Sequence, residues 1–268
     1  CLAINILIYI IARSVTALIP VTVYSIVETS SMVIPLFIFF LYYPCSSLVN
    51  PEELGSYAEG DILIPLRGKN GIRMESLQWP NGHIPYKVER HFSSAQREII
   101  MKAIADYHRL TCLRFVPYNG QQDYIVITGE STGCWSSVGR IGGRQVVNLQ
   151  IPGCVSKKGT VLHELLHAVG FFHEQSRPER DEFVTINYNN IKYGAENNFK
   201  KADPKEVDGY KVSYDYNSVM HYSEYAFSKN SQKTIEPRVI NGAKLGQRDG
   251  LSRGDVRKIN NMYNCNKE

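Results

Sequence analysis

The stretch HELLHAVGFFHE, His163 to Glu174, constrains this chain more than any other segment. His163 and His167 are four apart, so on a helix they share one face about 6 Å apart along the axis, and both imidazoles can reach one point. Glu164 leaves the helix from nearly the same edge. A helix continued to His173 would carry that residue roughly 15 Å past His163 and off its face. Gly170 is the residue type that ends a helix in the left-handed conformation without steric cost, so the spacing predicts a turn there that delivers a third imidazole.

Three neutral ring nitrogens fill three positions of the tetrahedral shell of Zn2+ and leave one open, which marks a catalytic rather than a structural site. One zinc ion per chain is the expected cofactor. Zinc lowers the pKa of water to roughly 7 and polarises a carbonyl, which suits hydrolysis of an amide. Glu164 is not needed as a ligand, which leaves its carboxylate free to act as the general base. A bare HExxH arises by chance on many helices; the helix break and the correctly placed third histidine make the full string specific.

A second segment, SYDYNSVMHY from Ser213 to Tyr222, places Met220 roughly fifty positions downstream, as third-histidine zinc sites require of a Met-turn. A soft thioether packs beneath imidazoles without competing strongly for zinc. A phenol such as Tyr222 binds a metal or donates to a developing oxyanion. HExxHxxGxxHE followed by SVMHY resembles the astacin family of metzincin peptidases. The likeness runs from about Trp79 to Cys265 and includes WPNGHIPY and GGRQVVNL. The resemblance implies His163, His167 and His173 as zinc ligands, Glu164 as base and Met220 as an apolar floor. It makes Tyr222 a fifth ligand that swings away to stabilise the oxyanion. It also singles out Glu174, the residue that separates astacins from other metzincins; in the family this carboxylate is buried and meets the amino terminus freed by activation. Asn217 stands where the family has glycine, a mild departure because asparagine tolerates positive φ.

The chain before residue 50 is apolar and nearly uncharged. Residues 1–31 read as an apolar leader or an extension of the gene model. Residues 32–47 read as a signal peptide, with an apolar run too short for a bilayer and small residues Cys45, Ser46 and Ser47 near its end. Residues 48–69 follow as a propeptide, and 70–268 as the peptidase domain. On composition alone 48–69 is a flexible tether. Astacin proenzymes, however, carry an FxGD motif whose aspartate caps the zinc, and Gly60-Asp61 matches its core, without the phenylalanine at its usual spacing. A carboxylate is an acceptable zinc ligand and takes the position hydrolytic water needs. An activating protease is then required, cutting beside Arg67 to Lys69 and freeing a terminus near Asn70.

Of six cysteines, Cys1 and Cys45 precede the propeptide, leaving Cys112, Cys134, Cys154 and Cys265. An even set fits a secreted, oxidised, extracellular protein, and spacing alone leaves the connectivity open. The resemblance favours Cys112–Cys265 and Cys134–Cys154. The net charge of +4 is not concentrated in a run, so neither nucleic acid nor a membrane is an expected partner of the mature form. Polypeptide is the expected substrate, and the mature form is expected to be a monomer. Three residues follow Cys265, so a catalytic domain without appended modules is expected. An astacin's common preference for an acidic residue after the scissile bond directs attention to Lys233 or Arg238. The alternative is a secreted binding protein on the same scaffold; intact ligands, base and tyrosine argue against it.

Ser93 to Leu110 reads as a helix with a Ser93/Gln96 capping box and an apolar face of Ile99, Ile100, Ala103, Ile104 and Tyr107. Tyr124 to Thr128 and Gln145 to Leu149 read as strands. The second is an edge able to pair with an extended peptide, or equally a sheet interior. Thr160 is the expected cap of the zinc helix, and Ser252 to Tyr263 a closing helix capped through Ser252 and Asp255. The whole is an α+β fold, a metzincin-like two-lobed domain: an N-terminal twisted sheet with helices, then a largely irregular lobe with the closing helix. His83, His91, His108 and His221 lack ligand spacing and are expected on the surface or in satisfied core positions.

Overall fold

The computed structural model describes residues 49–64, 75–205, 207–239 and 245–265. The expected leader, signal peptide and activation site lie outside the described residues. The first lobe is built on a five-stranded sheet. Its strands are β1 (His83–Val88), β2 (Arg114–Pro117), β3 (Tyr124–Thr128), β4 (Cys134–Ser136) and β5 (Arg144–Leu149), in the order β2-β1-β3-β5-β4. All neighbours are parallel except β4, which runs antiparallel to β5. The expected strand 145–149 is therefore sheet interior. The edges are β2 and β4, because pairing order depends on contacts distant in sequence.

Helix α1 (Ser94–Leu110) starts as its sequence dictates: Ser93 and Gln96 cap each other's backbone N–H groups. Its buried face, Ile100, Ala103, Ile104 and Tyr107, packs under the sheet. Helix α2 (Lys158–Val169) lies against it, and the Tyr107 hydroxyl donates to the carbonyl of Leu162 at 2.7 Å. Every residue of α2 after Lys158 is buried. Its start corrects the sequence reading, since the helix begins at Lys158 after Lys157, and Thr160 lies inside it, buried, rather than at the cap. Gly159 is needed in that first turn: a Cβ there would stand 2.1 Å from the carbonyl oxygen of Arg248.

The second lobe is mostly turns and short 3-10 segments, with one small sheet of β6 (Val184–Ile186) and β7 (Ile235–Pro237) and the closing helix α3 (Arg253–Met262). Ser252 and Asp255 form the α3 capping box, as the sequence implies. Each lobe has its own apolar cluster. Met220 belongs to the first and Tyr222 to the second, so the segment between them ties the two together. Disulfides join Cys112 to Cys265 and Cys134 to Cys154. Among the described residues no helix is long and apolar enough to cross a membrane.

Candidate metal centre

Helix α2 ends where its carbonyls are satisfied. Gly170, at φ 133°, turns the chain, and its N–H reaches the carbonyls of Leu166 at 3.1 Å and His167 at 2.8 Å. The carbonyl of Ala168 takes the Trp79 indole N–H at 2.8 Å and that of Val169 the Tyr263 hydroxyl at 2.7 Å. A buried helix end needs such partners. The break returns the chain, and the three imidazoles converge with ring centroids 4.8, 5.2 and 4.8 Å apart for the pairs His163–His167, His163–His173 and His167–His173.

The hydrogen bonds of each ring fix which nitrogen points inward. Nδ1 of His163 donates to the carbonyl of Val219 at 2.8 Å, Nδ1 of His167 to that of Phe171 at 2.7 Å, and Nδ1 of His173 to Glu59 Oε2 at 2.8 Å. In the neutral rings this leaves every Nε2 facing the cluster as a lone pair. Nε2 of His163 stands 3.2 Å from Nε2 of His173, and Asp61 Oδ2 stands 3.0 and 3.3 Å from the same two atoms. Asp61 Oδ1 approaches Nε2 of His167 at 3.5 Å. One ligand atom from each of these four residues lies within 4.8 Å of the others, all buried.

Electron-rich atoms at such distances repel unless a positive charge sits among them. With protein groups alone that charge is a proton on His173: burial opposes it, but Asp61 and Glu59 outweigh burial and raise the imidazole to about 10. His163, lowered by burial to about 4, stays neutral. Burial pushes Asp61 up, yet the charge on His173 and the hydrogen bonds of the neighbouring imidazoles win and hold it well below the usual carboxylate range. A divalent cation meets the same demand with two charges and four donors of the right type. Nε2 of His167 and both oxygens of Glu164 are buried without a hydrogen-bond partner, and orphaned groups of these types fit a zinc site. Burial first, then the charge of Asp61, raises Glu164 well above its ordinary value.

The matching family model, described as Astacin (Peptidase family M12A), covers residues 71–264. The chain belongs to the astacin family. It is 47% identical over 223 residues to zinc metalloproteinase nas-13 of Caenorhabditis elegans, covering 82% of this chain and 49% of that protein. To nas-4 of the same worm it is 41% identical over 224 residues, covering 79% and 70% respectively. The chain thus spans about half the length of nas-13. Among solved structures it is similar to high choriolytic enzyme 1, a hatching enzyme zinc-protease of the medaka Oryzias latipes, at 37% identity and a TM-score of 0.67, covering 73% of this chain and all of that one. The astacin-like α+β fold is accordingly the fold of this chain.

The remaining astacin positions fall around the cluster. Met220 is 2% exposed, and its carbonyl accepts the N–H of Glu174 at 3.0 Å. The Tyr222 ring lies tilted against that of His173, with ring centroids 4.6 Å apart, while its hydroxyl donates to the carbonyl of Glu59. Glu174 is buried at 4% exposure. His221, expected on the surface or satisfied in the core, is the latter: Nδ1 donates to the Tyr222 carbonyl and Nε2 accepts from the Tyr214 hydroxyl.

Residues 49–64 lie across this centre. Asp61 caps the cluster, the N–H of Ser136 donates to the carbonyl of Asp61, and the N–H of Leu63 to that of Ser136, both at 2.9 Å. The segment therefore pairs in parallel with the edge strand β4. Further back, Pro51–Leu54 forms a 3-10 turn capped by Asn50 and Glu53. Glu53 accepts the N–H of Ser223 at 2.5 Å and its hydroxyl at 2.6 Å, and the buried Glu52 pairs with the buried guanidinium of Arg248. The sequence reading missed Glu52, Glu53, Glu59 and Arg248. Only the Asn-Pro-Glu-Glu cap pattern carried a local signal. Lys233, by contrast, is engaged by Glu224 at 2.6 Å.

Proposed function

We propose that this chain is the zymogen of a secreted, extracellular zinc endopeptidase. The supporting observation is the convergence of three Nε2 lone pairs and a carboxylate on one buried point. A bound zinc ion supplies a polarised carbonyl and a water whose pKa falls to roughly 7. The protein groups do the rest. Glu164, buried and without hydrogen-bond partners, takes the proton of the attacking water and passes it to the leaving amine. The Tyr222 hydroxyl, once the Glu59 carbonyl is withdrawn, donates to the oxyanion.

In this reading residues 32–47 are a signal peptide, 48–69 a propeptide removed by an activating protease, and 70–268 a monomeric peptidase domain. The edge of β4, occupied here by Asp61 to Leu63, holds an extended polypeptide substrate through backbone pairing. The acidic preference passes from Lys233 and Arg238 to Arg248, a buried cation whose carboxylate partner leaves with the propeptide.

The test is Glu164→Ala in activated protein checked for folding and zinc content. Digestion of casein should fall close to background, as should wild-type digestion in the presence of a chelator. Wild-type turnover by the variant would refute the mechanism.

A further inference from the structure

In an antiparallel pair, opposed residues alternate between those that exchange backbone hydrogen bonds and those whose N–H and C=O groups point away from the partner. Between β6 and β7 two contacts fix which are which. The Arg238 N–H donates to the Phe183 carbonyl at 2.8 Å, and the Asn187 N–H to the Thr234 carbonyl at 2.9 Å. Val184 faces Pro237 and Ile186 faces Ile235, so these two residues of β6 take the alternate positions and aim their backbone groups outward. The outer side of β7 is closed: the Ile235 N–H reaches the Glu224 carbonyl at 3.2 Å, and Pro237 has no N–H. Among the described residues no strand lies outside β6. An open edge of this kind is a template for a further strand.

Strand β6 and residues 200–201 line an open cleft of about 470 Å³, together with Arg180, Asp181 and Arg238. Four cations thus meet one carboxylate there. Asp181 is shared by Arg180 and Lys201, each at 2.8 Å. Lys200 and Arg238 are exposed and pair with no carboxylate among the described residues. Arg180 is 3% exposed and donates to the Gln175 carbonyl at 2.9 Å; Gln175 Oε1 in turn accepts the Tyr222 N–H at 3.1 Å. The cleft therefore backs onto the metal centre while sharing none of its four residues.

The occupant that suits both the edge and the charge is an extended polypeptide carrying carboxylates. Alternate side chains of such a chain share a face, so acidic residues at every second position meet the cations while the backbone pairs with Val184 and Ile186. A sulfated polysaccharide answers the charge but brings no regular ladder of N–H and C=O groups to the edge. We propose that the outer edge of β6 is a second polypeptide-docking site, which takes an acidic stretch of the protein substrate away from the scissile bond. That the docked chain is a substrate rests on the peptidase reading above; that the cleft binds it does not.

The experiment accordingly has two arms. Binding is read by fluorescence anisotropy of a labelled peptide of alternating Glu and Thr on the full chain, where residues 49–64 cover the metal centre. Lys200→Glu/Arg238→Glu should weaken binding at least about 10-fold, because opposite charges across the contact become like ones. Lys102→Glu/Lys157→Glu makes the same change in net charge elsewhere and should bind as wild type does. The same peptide N-methylated at every backbone nitrogen keeps its charges and should bind at least about 10-fold more weakly. In activated protein, Lys200→Glu/Arg238→Glu should raise KM for a substrate with an acidic stretch, leaving its kcat and the turnover of a short peptide without that stretch unchanged. Wild-type protein that does not bind the peptide, equal binding by the Lys200/Arg238 variant or of the N-methylated peptide, or an unchanged KM overturns the proposal. So does heparin bound in the cleft where the peptide is not. Activated protein without any turnover overturns the peptidase reading and the substrate assignment, while the binding arm still decides whether β6 docks a peptide.

Discussion

The buried pair of Glu52 and Arg248 sets how firmly the Pro51–Leu54 turn is docked. Both side chains are at most 1% exposed, and Arg248 also donates to the carbonyls of His221 at 3.2 Å and Gln247 at 2.8 Å, so it is fixed in place. Glu52→Gln leaves the guanidinium without its counter-charge only while the turn is docked; once the turn lifts, water reaches Arg248. Removing one partner of a buried pair costs about 3–5 kcal/mol, and because glutamine keeps one acceptor we take about 3 kcal/mol. At about 1.4 kcal/mol per decade this is a roughly 150-fold shift toward the undocked turn. Hydrogen exchange of the full chain reads it directly at the Ser223 N–H, which donates to Glu53, and at the Glu53 N–H, which donates to the Asn50 carbonyl. Leu54, 67% exposed on the same turn, is the control: Leu54→Gln should leave both amides unchanged. If Glu52→Gln keeps wild-type protection at both, the pair does not hold the turn and the argument fails.

Tyr222→Phe in the activated enzyme should lower kcat about 100-fold with KM little changed, the signature of a lost oxyanion donor; an unchanged kcat would leave Tyr222 a packing residue. His221 is buried, and burial lowers its folded pKa to about 4 from 6.5. The unfolded chain therefore takes up the proton first as pH falls, so stability present above 6.5 is lost down to about 4, by about 3 kcal/mol. Urea unfolding of His221→Gln at pH 7.5 and 4.5 should show that loss reduced, and an unreduced loss would assign it elsewhere. Replacing both Cys134 and Cys154 by alanine opens a loop spanning 20 positions and should cost on the order of 3 kcal/mol in thermal unfolding, measurable by calorimetry.

What could be read before the structure was local. The ligand spacing of His163 and His167, the break at Gly170 and the Ser93 and Ser252 caps each depend on a few consecutive residues, and each stands where the pattern puts it. Thr160 misled because the helix starts earlier, at Lys158, without a side-chain cap, in a turn whose Gly159 packs against the distant backbone of Arg248. The strand at 145–149 was ambiguous because edge and interior differ only in which neighbours arrive. The buried pairs Glu52–Arg248 and Glu174–Lys258 join residues 196 and 84 positions apart, and nothing in either local sequence announces its partner.

In the zymogen reading proposed above, the same long-range contacts explain why the docked segment inhibits rather than being cut. A peptide bond is hydrolysed only if its carbonyl carbon comes within reach of the metal and the base. At Asp61 the main-chain carbonyl is turned to β4, where it accepts the Ser136 N–H, and the side-chain carboxylate faces the three imidazoles instead. The register of the Ile62–Ser136 bridge fixes that choice of face, while Glu52 and Glu53 anchor the segment upstream. The three imidazoles are thus met by a group with no leaving amine. Glu59, in the left-handed region at φ 48°, uses its side chain to orient His173 and its carbonyl to occupy the Tyr222 hydroxyl. One short segment therefore engages the cluster, the edge strand and the Tyr222 hydroxyl together, and on the proposed reading its withdrawal frees all three in a single event.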